Sequence, residues 1–133
     1  MKWVTALLIL FFIAVSGCSQ NVKESQSLKK DIRSEMNLHK SEFRLSHAAD
    51  FSWEKAYIFG PYTTEDEIEK ELGMPFKNES NLEQREDMNI IVFVKGNRVI
   101  MYAEIPRSYG DFLVRDLPIT PKKDQIRFQE IKT

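Results

Sequence analysis

The stretch MNIIVFVKGNRVIMYAEIP, residues 88–106, constrains the fold of this chain more than any other. Two apolar, β-rich runs flank Gly96-Asn97, a two-residue turn with glycine where positive φ is needed. The pattern predicts a hairpin over 89–105. Closing it at Gly96-Asn97 pairs Val94 with Val99, Val92 with Met101 and Ile90 with Ala103 on one face. Phe93–Ile100 and Ile91–Tyr102 then share the other. Both faces are apolar, whereas a sheet with one solvated face alternates apolar and polar residues. Each face therefore needs a cover, either from flanking segments of the chain or from a partner protein.

The flanks supply candidates. Trp53 to Phe59 reads as a strand with Trp53, Lys55, Tyr57 and Phe59 on one side and Glu54, Ala56 and Ile58 on the other. Gly60-Pro61 ends it. In TTEDEIEKELGMP, Thr64 is an N-cap and Glu67 completes a capping box. Ile68 and Leu72 form the buried edge of that helix, Gly73 its left-handed end, and Pro75 stops it. From Leu28 to Lys40, Leu28, Ile32 and Met36 recur every four residues with Leu38 beside them, one stripe of a second helix. Its other face carries Lys29, Lys30, Arg33 and Lys40 among Asp31 and Glu35. Those acids dilute any attraction to lipid, so this helix is expected to pack on its own domain. Phe43 and Leu45 mark a short extended piece, and 76–88 reads as a polar loop. Residues 111–116 are a candidate third strand and 119–131 a fourth, with Ile126 and Phe128 facing the same way. The sum is an α+β domain over 28–133, one or two helices packed on a small antiparallel sheet centred on 89–105. Trp53, Tyr57, Phe59, Ile68, Leu72, Ile91, Phe93, Ile100 and Tyr102 are its expected core.

Signatures of chemistry are sparse. His39 and His47 lack the spacing and the neighbouring third ligand of a metal site. The acids 65–67 sit on a helix and lack the Gly-bent loop of a calcium hand. Gly60-Pro61-Tyr62-Thr63 has proline where a phosphate cradle wants N–H donors. No serine stands in a Gly-x-Ser-x-Gly elbow. No cofactor is implied, although distant residues can still assemble a catalytic site on folding. With 19 basic and 20 acidic residues, no basic excess draws the chain to nucleic acid.

The N-terminus is more specific. Met1-Lys2 precedes an apolar run from Trp3 to Val15, too short for the about 20 residues of a spanning helix. Small residues and a polar exit follow, the parts of a secretory signal. Val15-Ser16-Gly17-Cys18 resembles the lipobox of bacterial lipoprotein signal peptides. The resemblance implies that residues 1–17 are removed and that the Cys18 thiol becomes a thioether to diacylglycerol, palmitate or a similar acyl group completing the anchor. The mature chain would have 133 − 17 = 116 residues, with 18–27 as lipidated cysteine and tether. Each buried methylene contributes about 0.8 kcal/mol, so two or three acyl chains hold a protein on a membrane where one does not. Cys18 is the only cysteine, so the domain has no disulfide.

Two further likenesses bear on the domain. WEKAYIFGPYTTEDEIEKELG resembles the central block of a family of small bacterial lipoproteins, with an aromatic strand, Gly-Pro-Tyr-Thr, a capped helix and Leu-Gly. The apolar strand with its glycine turn, Arg107 and Gly110-Asp111-Phe112 extend the match over roughly residues 43 to 128. Glu54 departs from that family's usual aspartate. The likeness implies a shared fold and carries no activity. The spacing of Thr64, Ile68, Leu72, Gly73 and Pro75 is similar to that in small outer-membrane lipoproteins that assist barrel assembly by contacting larger partners. The strand at 53–59 departs from their helix–helix order.

The expectation is a lipid-anchored bacterial envelope protein acting as a non-catalytic protein-binding module. It would sit on the outer face of the cytoplasmic membrane or, where an outer membrane exists, on that membrane, which Ser19 favours over aspartate. The alternative is a small-ligand-binding or enzymatic domain with an aromatic pocket near Trp53, Tyr57 and Tyr62.

Overall fold

A computed structural model describes residues 22–113 and 118–131. In chain order the elements are α1 (Gln26–His39), β1 (Glu42–Arg44), the one-turn helix α2 (Leu45–Ala48), β2 (Lys55–Phe59), α3 (Glu65–Leu72), β3 (Met88–Lys95), β4 (Arg98–Pro106), β5 (Asp111–Phe112) and β6 (Gln125–Gln129). Short 3-10 turns lie at Leu82–Gln84 and Arg107–Tyr109. The fold is α+β, with two antiparallel sheets of three strands, ordered β2-β3-β4 and β1-β6-β5. The expected signal residues Val15, Ser16 and Gly17, the expected anchor Cys18 and residues 114–116 of the candidate third strand lie outside the described residues.

The hairpin turns where expected. Gly96 is at φ 62 and Asn97 is not at positive φ, the pattern of a type II′ turn. Glu54 fastens the turn by accepting the Gly96 N–H at 2.7 Å. Beyond Val94–Val99 the expected register fails. Phe93 pairs with Met101, Val92 with Tyr102 and Ile91 with Ala103, so Ile100 is an extra residue in β4. Such a bulge moves every later side chain to the other face. Tyr102 therefore shares a face with Val92, not with Ile91, and Ile100 is only half-buried. Ile100 and Met101 both pack against the opposite cluster.

Both faces of the central sheet are covered by this chain. On one, Ile91, Phe93, Ala103 and Ile105 meet Leu28, Ile32 and Met36 of α1, Leu45 of α2, and Phe43, Ile126 and Phe128 of the smaller sheet. Phe93 is fully buried and meets the Trp53 and Phe51 rings edge-on at 5.3 and 5.0 Å. On the other face, Ile90, Val92, Val94 and Tyr102 meet Ile68 and Leu72 of α3 together with Phe76 and Leu82. The segment 76–88 is thus no purely polar loop, since Phe76 and Leu82 roof the second core. A partner protein is not needed to cover the hairpin.

The local signals explain the helices. Thr64 accepts the Glu67 N–H at 3.2 Å while Glu67 accepts the Thr64 N–H at 2.8 Å, and Gly73 ends α3 at φ 71. In α1 the buried stripe is Leu28, Ile32 and Met36, whereas Leu38 is 72% exposed. Position 38 lies two residues past 36, about 200° round the helix, so it falls on the solvated side. Helix α1 starts at Gln26 with Ser25 as its cap, two residues earlier than expected. The chain expected to be tether is bound from Val22 onward: the Val22 N–H donates to Lys77 O at 3.3 Å, and the Ser25 N–H to Tyr102 O at 2.9 Å.

Both edges of the central sheet are occupied. Glu24 bridges Tyr102 along β4, and Ala56 and Ile119 exchange two backbone bonds of 2.8 and 2.9 Å along β2. Open edges recruit foreign strands, so this coverage limits strand addition. The candidate fourth strand forms as β6, with Ile126 and Phe128 buried together. Of the candidate third strand, Asp111–Phe112 form β5. Among the described residues no helix is long and apolar enough to cross a membrane.

Candidate functional site

The expected aromatic pocket does not assemble. Strand β2 begins at Lys55, so Trp53 is outside the alternation that would align it with Tyr57. Trp53 is buried in the first cluster, its indole N–H donating to Ala49 O at 3.3 Å. Tyr57 is buried in the second cluster across the sheet, stacked on Phe59 at 6.3 Å. Burial and the nearby Glu71 carboxylate push its hydroxyl above the usual tyrosine range. Tyr62 is 59% exposed. A pocket of about 140 Å³ between the start of α3 and residues 78–83 contains none of the three. Small-molecule sites run to about 300–1,000 Å³, so this one is undersized for an organic ligand.

Tyr62 instead belongs to a polar cluster at the end of the central sheet where β2 and β4 finish and β3 starts. Gly60-Pro61-Tyr62-Thr63 is a turn closed by Thr63 N–H to Gly60 O at 3.4 Å, with the Thr63 hydroxyl donating to the same oxygen at 2.7 Å. Proline precedes a residue at φ 65, the type II arrangement, but that residue is a tyrosine, not the usual glycine. A bulky residue at positive φ is strained. It is held there by its own N–H, which donates to Leu82 O at 3.1 Å and Arg85 O at 3.3 Å.

The Tyr62 hydroxyl donates to Glu86 Oε2 at 3.3 Å. Partial burial, then the charge and bond of Glu86, hold that hydroxyl above the usual tyrosine value, with Arg107 opposing. Arg107 grips Asp111 bidentately, Nε and Nη2 each 2.8 Å from a carboxylate oxygen, and its Nη1 donates to Glu86 O at 3.1 Å. The guanidinium holds the Asp111 carboxyl below the usual carboxylate range. Arg85 does the same for Asp87 through two bonds of 3.1 Å. Asn89 is buried beneath.

Sequence reasoning named Tyr62 here and missed its setting. Arg107 and Asp111 did carry a signal, opposite charges four apart in the stretch that extends the lipoprotein likeness. Glu86 and Asn89 carried none, since nothing local marks them. His39 and His47 also find a shared neighbour: their nitrogens lie 3.3 and 3.8 Å from Glu35 Oε2. Among the described residues no group of His, Cys, Asp and Glu is arranged to hold a metal ion.

The cluster presents an exposed aromatic ring with a hydroxyl, on a fixed backbone, beside two arginines and three acids. Rigid tyrosines and arginines are the residues on which protein interfaces concentrate their binding energy. Comparison of the chain with protein-family models, with curated proteins and with solved structures finds no match.

Proposed function

We propose that the chain is a lipid-anchored bacterial envelope protein acting as a non-catalytic protein-binding module, with the Tyr62 end of the central sheet as its contact surface. One observation carries the choice of surface: Tyr62 is exposed yet locked at φ 65 by the Leu82 and Arg85 carbonyls. A segment whose backbone is fixed before binding loses less entropy on contact than a free one. The apolar hairpin, the other candidate surface, is sealed on both faces by the chain's own helices and loops. The lipobox residues Val15, Ser16, Gly17 and Cys18 support the anchor.

Capture of the tagged protein from its own membranes in mild detergent tests the surface. The wild type should recover a specific partner. Tyr62→Ala should recover it at least about tenfold less, a loss in the range of an interface hot spot. Undiminished capture by a folded Tyr62→Ala protein would contradict the assignment. Labelling with radioactive palmitate tests the anchor: label should enter the wild type and be lost in Cys18→Ala.

A further inference from the structure

The chain between the lipid and the domain is short, and its entry point lies at one end of the fold. Glu24 and Ser25 lie on the outer edge of β4, and Val22 just before them is tied to the 76–88 segment. The Val22 N–H is tied to Lys77 O, the Ser25 N–H to Tyr102 O, and the Glu104 N–H donates to Glu24 Oε1 at 3.3 Å. Glu24 also lies 3.8 Å from Lys29 Nζ and accepts from Gln26 Nε2 at 3.0 Å. The bridge between Glu24 and Tyr102 is parallel. Counting back two residues along it puts Val22 beside residue 100, in the hairpin-tip half of β4. Val22 packs there on the second cluster, as do Met74 and Val99.

Cys18 is 22 − 18 = 4 residues away. A fully extended chain covers at most about 14 Å over four residues. From residue 100 to Pro106, where β4 ends, is 106 − 100 = 6 residues. At strand rise that is about 20 Å. The Cys18 backbone can therefore reach the hairpin-tip end of the sheet and falls short of the Tyr62–Arg107 end.

We infer that the domain stands directly on the bilayer that holds its anchor, resting on its hairpin-tip end, and points the Tyr62–Arg107 cluster away from the lipid. The occupant of the tip surface is the membrane headgroup layer. Val22, Met74 and Val99 are half-buried against the second cluster, and Lys23, Lys55, Lys95 and Arg98 are exposed, with Glu54 the opposing acid at the turn. Basic side chains at this position suit anionic headgroups. The inference rests on the lipid-anchor reading of Cys18 and adds an orientation to it.

The test uses the full lipidated chain in vesicles of phosphatidylethanolamine and phosphatidylglycerol carrying a headgroup nitroxide quencher. Cys18 is the only cysteine, and its sulfur is consumed by the lipid, so an introduced cysteine is the single free thiol. Fluorophores are placed at Asn97→Cys on the tip and at Ser108→Cys at the far end, both exposed positions. The Asn97 label should be quenched several-fold more strongly. Equal quenching, or stronger quenching at Ser108, in a chain shown by mass to carry lipid overturns the orientation alone. A chain that carries no lipid overturns the anchor and the orientation together. A flexible glycine–serine spacer inserted after Gln20 should abolish the difference, and a difference that survives the spacer overturns the short link as its cause.

Discussion

Tyr62 occupies the left-handed region with a large side chain, a conformation that costs a non-glycine residue about 1–2 kcal/mol. Glycine there would relieve the strain, whereas alanine would keep it. Tyr62→Gly should therefore be more stable than Tyr62→Ala by about 1 kcal/mol in urea melts, even though glycine widens the unfolded ensemble. Equal stability would show that the turn is unstrained. Asp124 gives a pH-dependent counterpart. It is buried at the foot of β6, where it accepts the Ser46 N–H at 3.0 Å and Arg44 Nε at 3.1 Å. Burial raises its pKa, but the Ser46 and Arg44 bonds outweigh that and hold the carboxyl below the usual range. A depressed carboxyl stabilises the fold fully above its unfolded pKa of about 3.9 and loses that contribution as pH falls through the lower folded value. Asp124→Asn should flatten the fall in melting temperature between about pH 5 and pH 2, and an unchanged acid slope would contradict this. Neither residue's environment is legible locally. Tyr62 is held by carbonyls some twenty residues on, and Asp124 by a helix 78 residues back.

At the scale of elements, Gly110 shows how tightly the smaller sheet is joined to the rest. It sits at φ 137, and a Cβ there would come within 3.0 Å of Gln129 O and of the Phe128 ring. Gly110→Ala should therefore force β5 off β6 and destabilise by more than about 2 kcal/mol, read by thermal melting. A melting point within error of wild type would mean the loop yields freely. The helix ends and the hairpin turn were legible because their signals are local: Thr64 and Glu67 cap each other across one turn, and Gly96 meets its turn's need for positive φ. The β4 bulge was not. Register is normally read from polar residues on the solvated face, and from Ile90 to Ala103 the strands offer scarcely any. One inserted residue at Ile100 therefore passed unseen and exchanged the faces of Tyr102 and its neighbours. Trp53 failed for a related reason. A two-residue period puts Trp53 on the side of Tyr57 only if the strand already runs at 53, but the chain enters β2 only at Lys55.

For the whole molecule, the proposed anchor and the proposed contact surface fall at opposite ends of the central sheet. The N-terminal segment docks on β4 at Tyr102 and Glu104 and runs parallel to it, so its earlier residues, and the proposed anchor, lead back toward the hairpin tip. The polar cluster of Tyr62, Glu86, Arg107 and Asp111 is at the other end. On the proposed reading, a surface presented outward on a short anchor would meet other proteins and not the lipid beneath it. Photo-crosslinking in intact cells tests this most directly. A benzophenone amino acid is placed at position 62 in one strain and at position 97 in another, with lipidation of both checked by mass. The expected result is a discrete protein adduct from position 62, lost when Arg107→Glu is added to a chain that still folds, and lipid adducts from position 97. Protein adducts from position 97 alone, with none from position 62, would contradict it.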